Sequence, residues 1–136
     1  MDIRRLIPQR APIMMVDSLV SVKDEEAVCQ LCVRQDNFFS DSDDLLSEPG
    51  LIEHIAQSAS AFAGYKAVAA GATEPPVGYI GEVKNFRLFQ RPRIGDTITT
   101  TITMGPEVEG ITIIRGESKI GDTVVANTTM KIFIKD

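Results

Sequence analysis

Histidine is nearly missing from this chain, which has one in 136 residues, and tryptophan is missing altogether. With only His54 to set beside scattered carboxylates, the sequence shows none of the spacings by which proteins hold zinc, and no metal or other cofactor is expected. Cysteine is almost as scarce. Cys29 and Cys32 stand three apart in a stretch that alternates like a strand, so their side chains would point to opposite faces and neither a disulfide nor a metal pair is favoured. Two reduced, partly buried thiols are the reading. No run of about 18 apolar residues occurs, and the amino-terminal Met-Asp-Ile-Arg-Arg lacks the apolar core of a secretion signal, so a cytoplasmic protein with no membrane partner is expected. Basic residues are outnumbered, 14 Lys and Arg against 19 Asp and Glu, which argues against a general nucleic-acid binder.

What the sequence does have is apolar patterning for one core. It is 43% hydrophobic and 24% charged, over a length suited to a single domain spanning 1–136. Pro49 to Gly71 is the one segment long enough for a helix of five or six turns, with Pro49 in the first turn and Gly71 past the last. Between Glu53 and Glu74 its only charged side chain is Lys66, so no broad solvent face exists and a helix enclosed by the rest of the protein is predicted. Glu53, His54 and Gln57 are the polar exceptions near its start. A carboxylate at the head of an oily helix needs a partner, a hydrogen bond or a proton. Its bland reading is a first-turn carboxylate favoured by the helix dipole.

The rest of the chain reads as strands. Ile13 to Val22 and Ala27 to Val33 form a pair around the Asp24-Glu25-Glu26 turn; Asp36 to Ser47 is an acidic loop docked by Phe38, Phe39, Leu45 and Leu46. After the helix come Val77 to Phe89, Thr97 to Met104, Ile111 to Ile120 and Val124 to Lys135. In the second of these Ile98, Thr100, Ile102 and Met104 share one face and four threonines the other. Two strands, one long helix and four more strands on short turns predict an α+β fold, an antiparallel sheet curled around one helix. The edge strand left by such a sheet is commonly paired across a two-fold axis, so at least a dimer is expected.

Several phrases in order now resemble the bacterial 3-hydroxyacyl-[acyl-carrier-protein] dehydratases of the hot-dog fold. Leu6-Ile7-Pro8-Gln9-Arg10-Ala11-Pro12 leading to Val16-Asp17 is similar to that family's opening Leu-Pro-His-Arg-x-Pro phrase; Glu53-His54-Ile55-Ala56-Gln57 matches its Glu-x-x-Ala-Gln helix start; Arg91-Pro92 and Gly95-Asp96 match the end of a strand and its turn. The resemblance implies that Glu53 is a general acid for the departing 3-hydroxyl, that Gln57 orients it, and that the backbone N–H groups of Gly50 and Leu51 polarise the thioester carbonyl. It also implies a partner, an acyl carrier protein or a CoA thioester. Arg87, Arg91 and Arg93, joined by Arg4, Arg5, Arg10 and Lys84, would receive an acidic carrier protein.

One departure stands out. The family's proton-abstracting His lies in a His-Phe-Pro-Gly phrase before the helix, and this chain has Ser40-Asp41-Ser42-Asp43-Asp44-Leu45-Leu46 there, with Ser42 nearest the missing residue. Gln9 likewise replaces the family's other His. His54 sits about 100° around the helix from Glu53, so it reaches the site only from a partner or through a distorted helix start. Three readings follow. The chain is a divergent dehydratase for fatty-acid or polyene-type synthesis with Glu53, His54 and Gln57 as its catalytic set, or a non-catalytic acyl-binding subunit paired as a heterodimer with an active hot-dog homologue, or an acyl thioesterase using Glu53 alone.

Overall fold

The computed structural model describes residues 2–135. Ser47 opens the long helix, α1 (Glu48–Ala69), by accepting the Gly50 N–H on its side chain at 3.2 Å, and Pro49 occupies the first turn, where its missing donor costs nothing. Beyond Ala70, Gly71 takes a φ of +100°, the left-handed conformation that ends helices. From Gly50 to Gly64 nearly every residue is buried, but Tyr65, Lys66 and Ala69 reach solvent. Enclosure therefore covers two thirds of the helix rather than all of it. Lys66 leans over the Phe62 ring and pairs with Glu25 at 2.8 Å, which lets the charged end leave the core without stranding the ammonium.

Six strands form one antiparallel sheet: β1 (Ser18–Lys23), β2 (Glu26–Cys32), β3 (Val77–Leu88), β4 (Thr97–Val108), β5 (Ile111–Ile120) and β6 (Thr123–Lys135). Their order is β1-β2-β4-β5-β6-β3, so the helix connection carries the chain from one side of the sheet to the other and leaves β1 and β3 at the edges. Ile98, Thr100 and Ile102 of β4 and Ala126, Thr128, Met130 and Ile132 of β6 face the helix. A bulge opposite Ser118 and Lys119 brings Val125 into the interior as well, a register change that strict alternation could not foresee.

The tightest seams are set by glycine. A Cβ on Gly116 of β5 would lie 2.6 Å from Ile55, so this residue lets the sheet approach the helix. Gly64 faces the amino-terminal segment instead of the sheet. A Cβ there would meet the Leu6 carbonyl at 1.9 Å, which means that helix and amino-terminal segment touch backbone to backbone. That segment makes a 3-10 turn over Ile3–Arg5 and packs Ile3, Leu6, Ile7 and Val16 on Cys29 and Ala61 as a second small core.

The acidic loop docks by three of its four apolar residues. Leu46 is fully buried and Phe39 and Leu45 partly, while Phe38 stays 59% exposed with its ring edge on Phe39. Its main anchor is Arg91, which the sequence does not single out for this purpose. The guanidinium donates to the Leu46 carbonyl at 2.9 Å and to the Asp41 carboxylate, whose pKa it holds below the usual range. The segment between β3 and β4 thus fixes the loop that delivers the helix N-terminus.

Candidate functional site at the head of the helix

Glu53 lies on the first turns of α1, half-buried, with Gln57 one turn on; this i, i+4 spacing puts the two side chains on one face. The Gln57 amide donates to the Glu53 carboxylate at 2.8 Å and to the Ile13 carbonyl at 2.9 Å, while its oxygen accepts the Met15 N–H at 2.6 Å. Turning the amide over would set its oxygen against two acceptors and its NH2 against a donor, so its orientation follows from its partners. Both carboxylate and amide line a cavity of about 230 Å³, with Gln9, Ala56 and Ser60 on one side and Gly78, Tyr79 and Ile80 of the edge strand β3 on another. Gln9 stands where sequence comparison suggested a site position, and its buried side-chain oxygen has no partner among the described residues.

His54 points elsewhere. It is fully buried on the sheet side of the helix, with Nδ1 2.7 Å from the Met15 carbonyl and Nε2 2.8 Å from the Thr100 hydroxyl. A carbonyl only accepts, so Nδ1 carries the proton and Nε2 takes one from Thr100, whose oxygen in turn lies 2.6 Å from that of Ser118. Burial drives its pKa down to about 4, against smaller opposing effects of the Met15 bond and the Asp17 charge. An imidazole that is neutral, doubly bonded and sealed from solvent has no free lone pair to take a substrate proton. The catalytic role expected for His54 therefore has no geometric footing in this chain.

The helix amides also differ from expectation. The Gly50 N–H is taken by the Ser47 side chain and the Leu51 N–H by the Ser47 carbonyl at 3.1 Å, and both residues are buried, so neither amide faces a substrate carbonyl. The cap residue was the available signal: Ser before Glu-Pro is a helix-start pattern whose hydroxyl competes for those donors. The arginines likewise separate. Arg91 holds the loop, Arg87 opens with Arg115 on the outer face of the sheet, and Arg93 is exposed beside the turn closed by Asp96. Arg4 pairs with Asp2, and Arg10 donates to the Ile7, Gln9 and Arg4 carbonyls. Among the described residues no three His, Cys, Asp or Glu side chains converge as a metal site, and no helix is long and apolar enough to cross a membrane.

A six-stranded antiparallel sheet wrapped on one long helix, with a carboxylate at the helix head beside an edge strand, is the hot-dog fold. Within that class the chain belongs to the ApeP-like family, described as ApeP dehydratase, whose model matches residues 1–136. Among solved structures it is similar to the dehydratase heterocomplex ApeI:P from Xenorhabdus doucetiae, at a TM-score of 0.91 and 18% identity over 100% of this chain and 92% of that one. It is also similar to the E. coli PaaI protein from the phenylacetic acid degradation operon, with a TM-score of 0.64 and 14% identity over 85% and 80% of the two chains. A hypothetical thioesterase protein with coenzyme A from Streptococcus pneumoniae TIGR4 matches at a TM-score of 0.66 and 11% identity, over 87% and 84%. No curated protein matches by sequence.

Proposed function

We propose that this chain supplies the acid half of a two-subunit dehydratase site acting on 3-hydroxyacyl thioesters, with the base supplied by a hot-dog partner whose loop carries a His. The observation that carries the reading is the cavity at Glu53, whose carboxylate is held by a fully committed Gln57 and whose far wall is β3, an edge strand paired on one side with β6. A second subunit pairing along β3 would face that carboxylate. A second copy of this chain would bring no base, because its one His is sealed in the core. A heterodimer answers both needs, and the similarity to a dehydratase heterocomplex supports it.

In this reading the partner's imidazole takes the C2 proton, and the C2–H electron pair becomes the C2–C3 double bond. The C3–O bond breaks as the protonated Glu53 carboxyl gives its proton to the departing oxygen, and water leaves. Gln57 keeps the carboxyl aimed at that oxygen. The acyl group would arrive on an acyl carrier protein or on CoA, in fatty-acid or polyene-type synthesis. Of the three arginines named first for this role, Arg87 and Arg93 are exposed and would meet an acidic carrier, and binding should weaken as salt rises. Arg91 is omitted because the loop occupies it.

A second reading, an acyl-binding subunit that leaves all chemistry to its partner, is favoured by the capped helix start, where the Gly50 and Leu51 amides are already taken by Ser47. The test is to give the co-purified heterodimer a 3-hydroxyacyl thioester on carrier protein and follow enoyl absorbance and free thiol separately. Enoyl formation without thiol release is expected. Thiol release without enoyl product would make the protein a thioesterase instead.

A further inference from the structure

His54 touches no wall of the Glu53 cavity, yet a continuous run of hydrogen bonds joins the two. From Ser118 on β5 the run passes to Thr100 on β4, through the imidazole to the Met15 carbonyl, from the Met15 N–H to Gln57, and from Gln57 to the Glu53 carboxylate. Residues 13–15 leave a turn and lie outside any strand, and two helix side chains one turn apart hold them, His54 at the Met15 carbonyl and Gln57 at the Met15 N–H and Ile13 carbonyl. Two of the three Gln57 bonds go to this backbone and the third to Glu53, so the aim of the third is only as fixed as that backbone. The backbone is fixed on its other side by His54. A neutral imidazole is suited to the task because it donates on one edge and accepts on the other, linking the sheet to the segment in a single rigid ring.

Resting on the reading of Glu53 as the acid, we infer that His54 is a positioning residue for it, setting the aim of the carboxylate through Met15 and Gln57. Groups that hold a catalytic side chain without touching substrate commonly change rate by one or two orders of magnitude, and a misplacement of about 1 Å costs a similar factor. Two substitutions separate this role from simple core packing. In His54→Asn the amide N–H falls near the place of Nδ1 and keeps the Met15 bond; in His54→Gln it falls near Nε2 and reaches Thr100 instead.

The experiment measures dehydration of a 3-hydroxyacyl thioester by the heterodimer for both variants and for Glu53→Gln, beside hydrogen exchange of the Gln57 side-chain NH2 by NMR. His54→Asn should keep kcat within about threefold. His54→Gln should lose about 10- to 100-fold in kcat with KM within about twofold, and its Gln57 protons should exchange markedly faster. Equal losses in the two variants, a kcat loss that simply follows Tm, or unchanged Gln57 exchange in His54→Gln would each overturn the inference. If His54→Gln does not fold, Thr100→Val leaves the imidazole but removes its anchor, and Gln57 exchange must then quicken; unchanged exchange there counts against the role. Should Glu53→Gln keep full activity, the acid reading falls by itself, while the exchange measurement still decides whether His54 holds Gln57.

Discussion

Glu53 and His54 are neighbours in sequence with opposite surroundings, and the 100° between them around the helix is what separates them. The i, i+4 spacing made the Glu53–Gln57 bond legible from sequence, because it is local to one helix. What His54 bonds to was not legible: Met15 lies 39 residues back and Thr100 lies 46 ahead, partners that only the tertiary fold brings together. The same placement has a consequence for stability. Folding drops the His54 pKa from about 6.5 to about 4, so the unfolded chain binds a proton there that the native chain refuses. This contribution is complete above pH 6.5 and is lost as pH falls toward 4, by about 3 kcal/mol across the window. Urea unfolding at pH 7 and at pH 4.5 should show that loss, and His54→Gln, which cannot titrate, should show a smaller one; equal pH dependence would contradict it. The thiols make a simpler case. Burial pushes Cys29 up to about 12, and of the two thiols only Cys32 has access to solvent, so a thiol reagent at neutral pH should label Cys32 alone until the protein unfolds.

The helix and strands were readable because their signals are local: a period of two in β4 and β6, a proline and a glycine at the ends of α1. The loop and the helix cap were less so, since what they do depends on which donors and acceptors the fold brings close. Arg91 appeared as one of several surface charges, and only its contact with Asp41 and Leu46 makes it a fastening. Two substitutions test the seams at this scale. Ser47→Ala removes the cap on the Gly50 N–H and should cost about 1 kcal/mol in urea unfolding, the usual value of such a cap. Gly64→Ala places a methyl against the Leu6 carbonyl and should cost about 1–3 kcal/mol by overpacking, although alanine is the better helix former. A stabilised Gly64→Ala would mean that the helix and the amino-terminal turn are not in backbone contact.

As a whole the molecule is a helix enclosed over two thirds of its length by a sheet with β1 and β3 at its edges. Tyr79, Ile80, Val83 and Phe89 stand exposed along or just beyond β3, the strand that also walls the Glu53 cavity, so the exposed apolar edge and the cavity lie together. A homodimer and a heterodimer are both open from sequence, and the second is the one proposed because a copy of this chain brings no exposed His. The most direct measurement pairs this chain with a hot-dog subunit whose loop bears a His and compares dehydration of a 3-hydroxyacyl thioester with wild-type and Glu53→Gln forms of this chain, the partner unchanged. A fall of at least about a hundredfold, with the heterodimer intact by size and by unfolding, is the predicted result. Full activity with Glu53→Gln would show that the partner carries out the chemistry alone and that Glu53 is no acid.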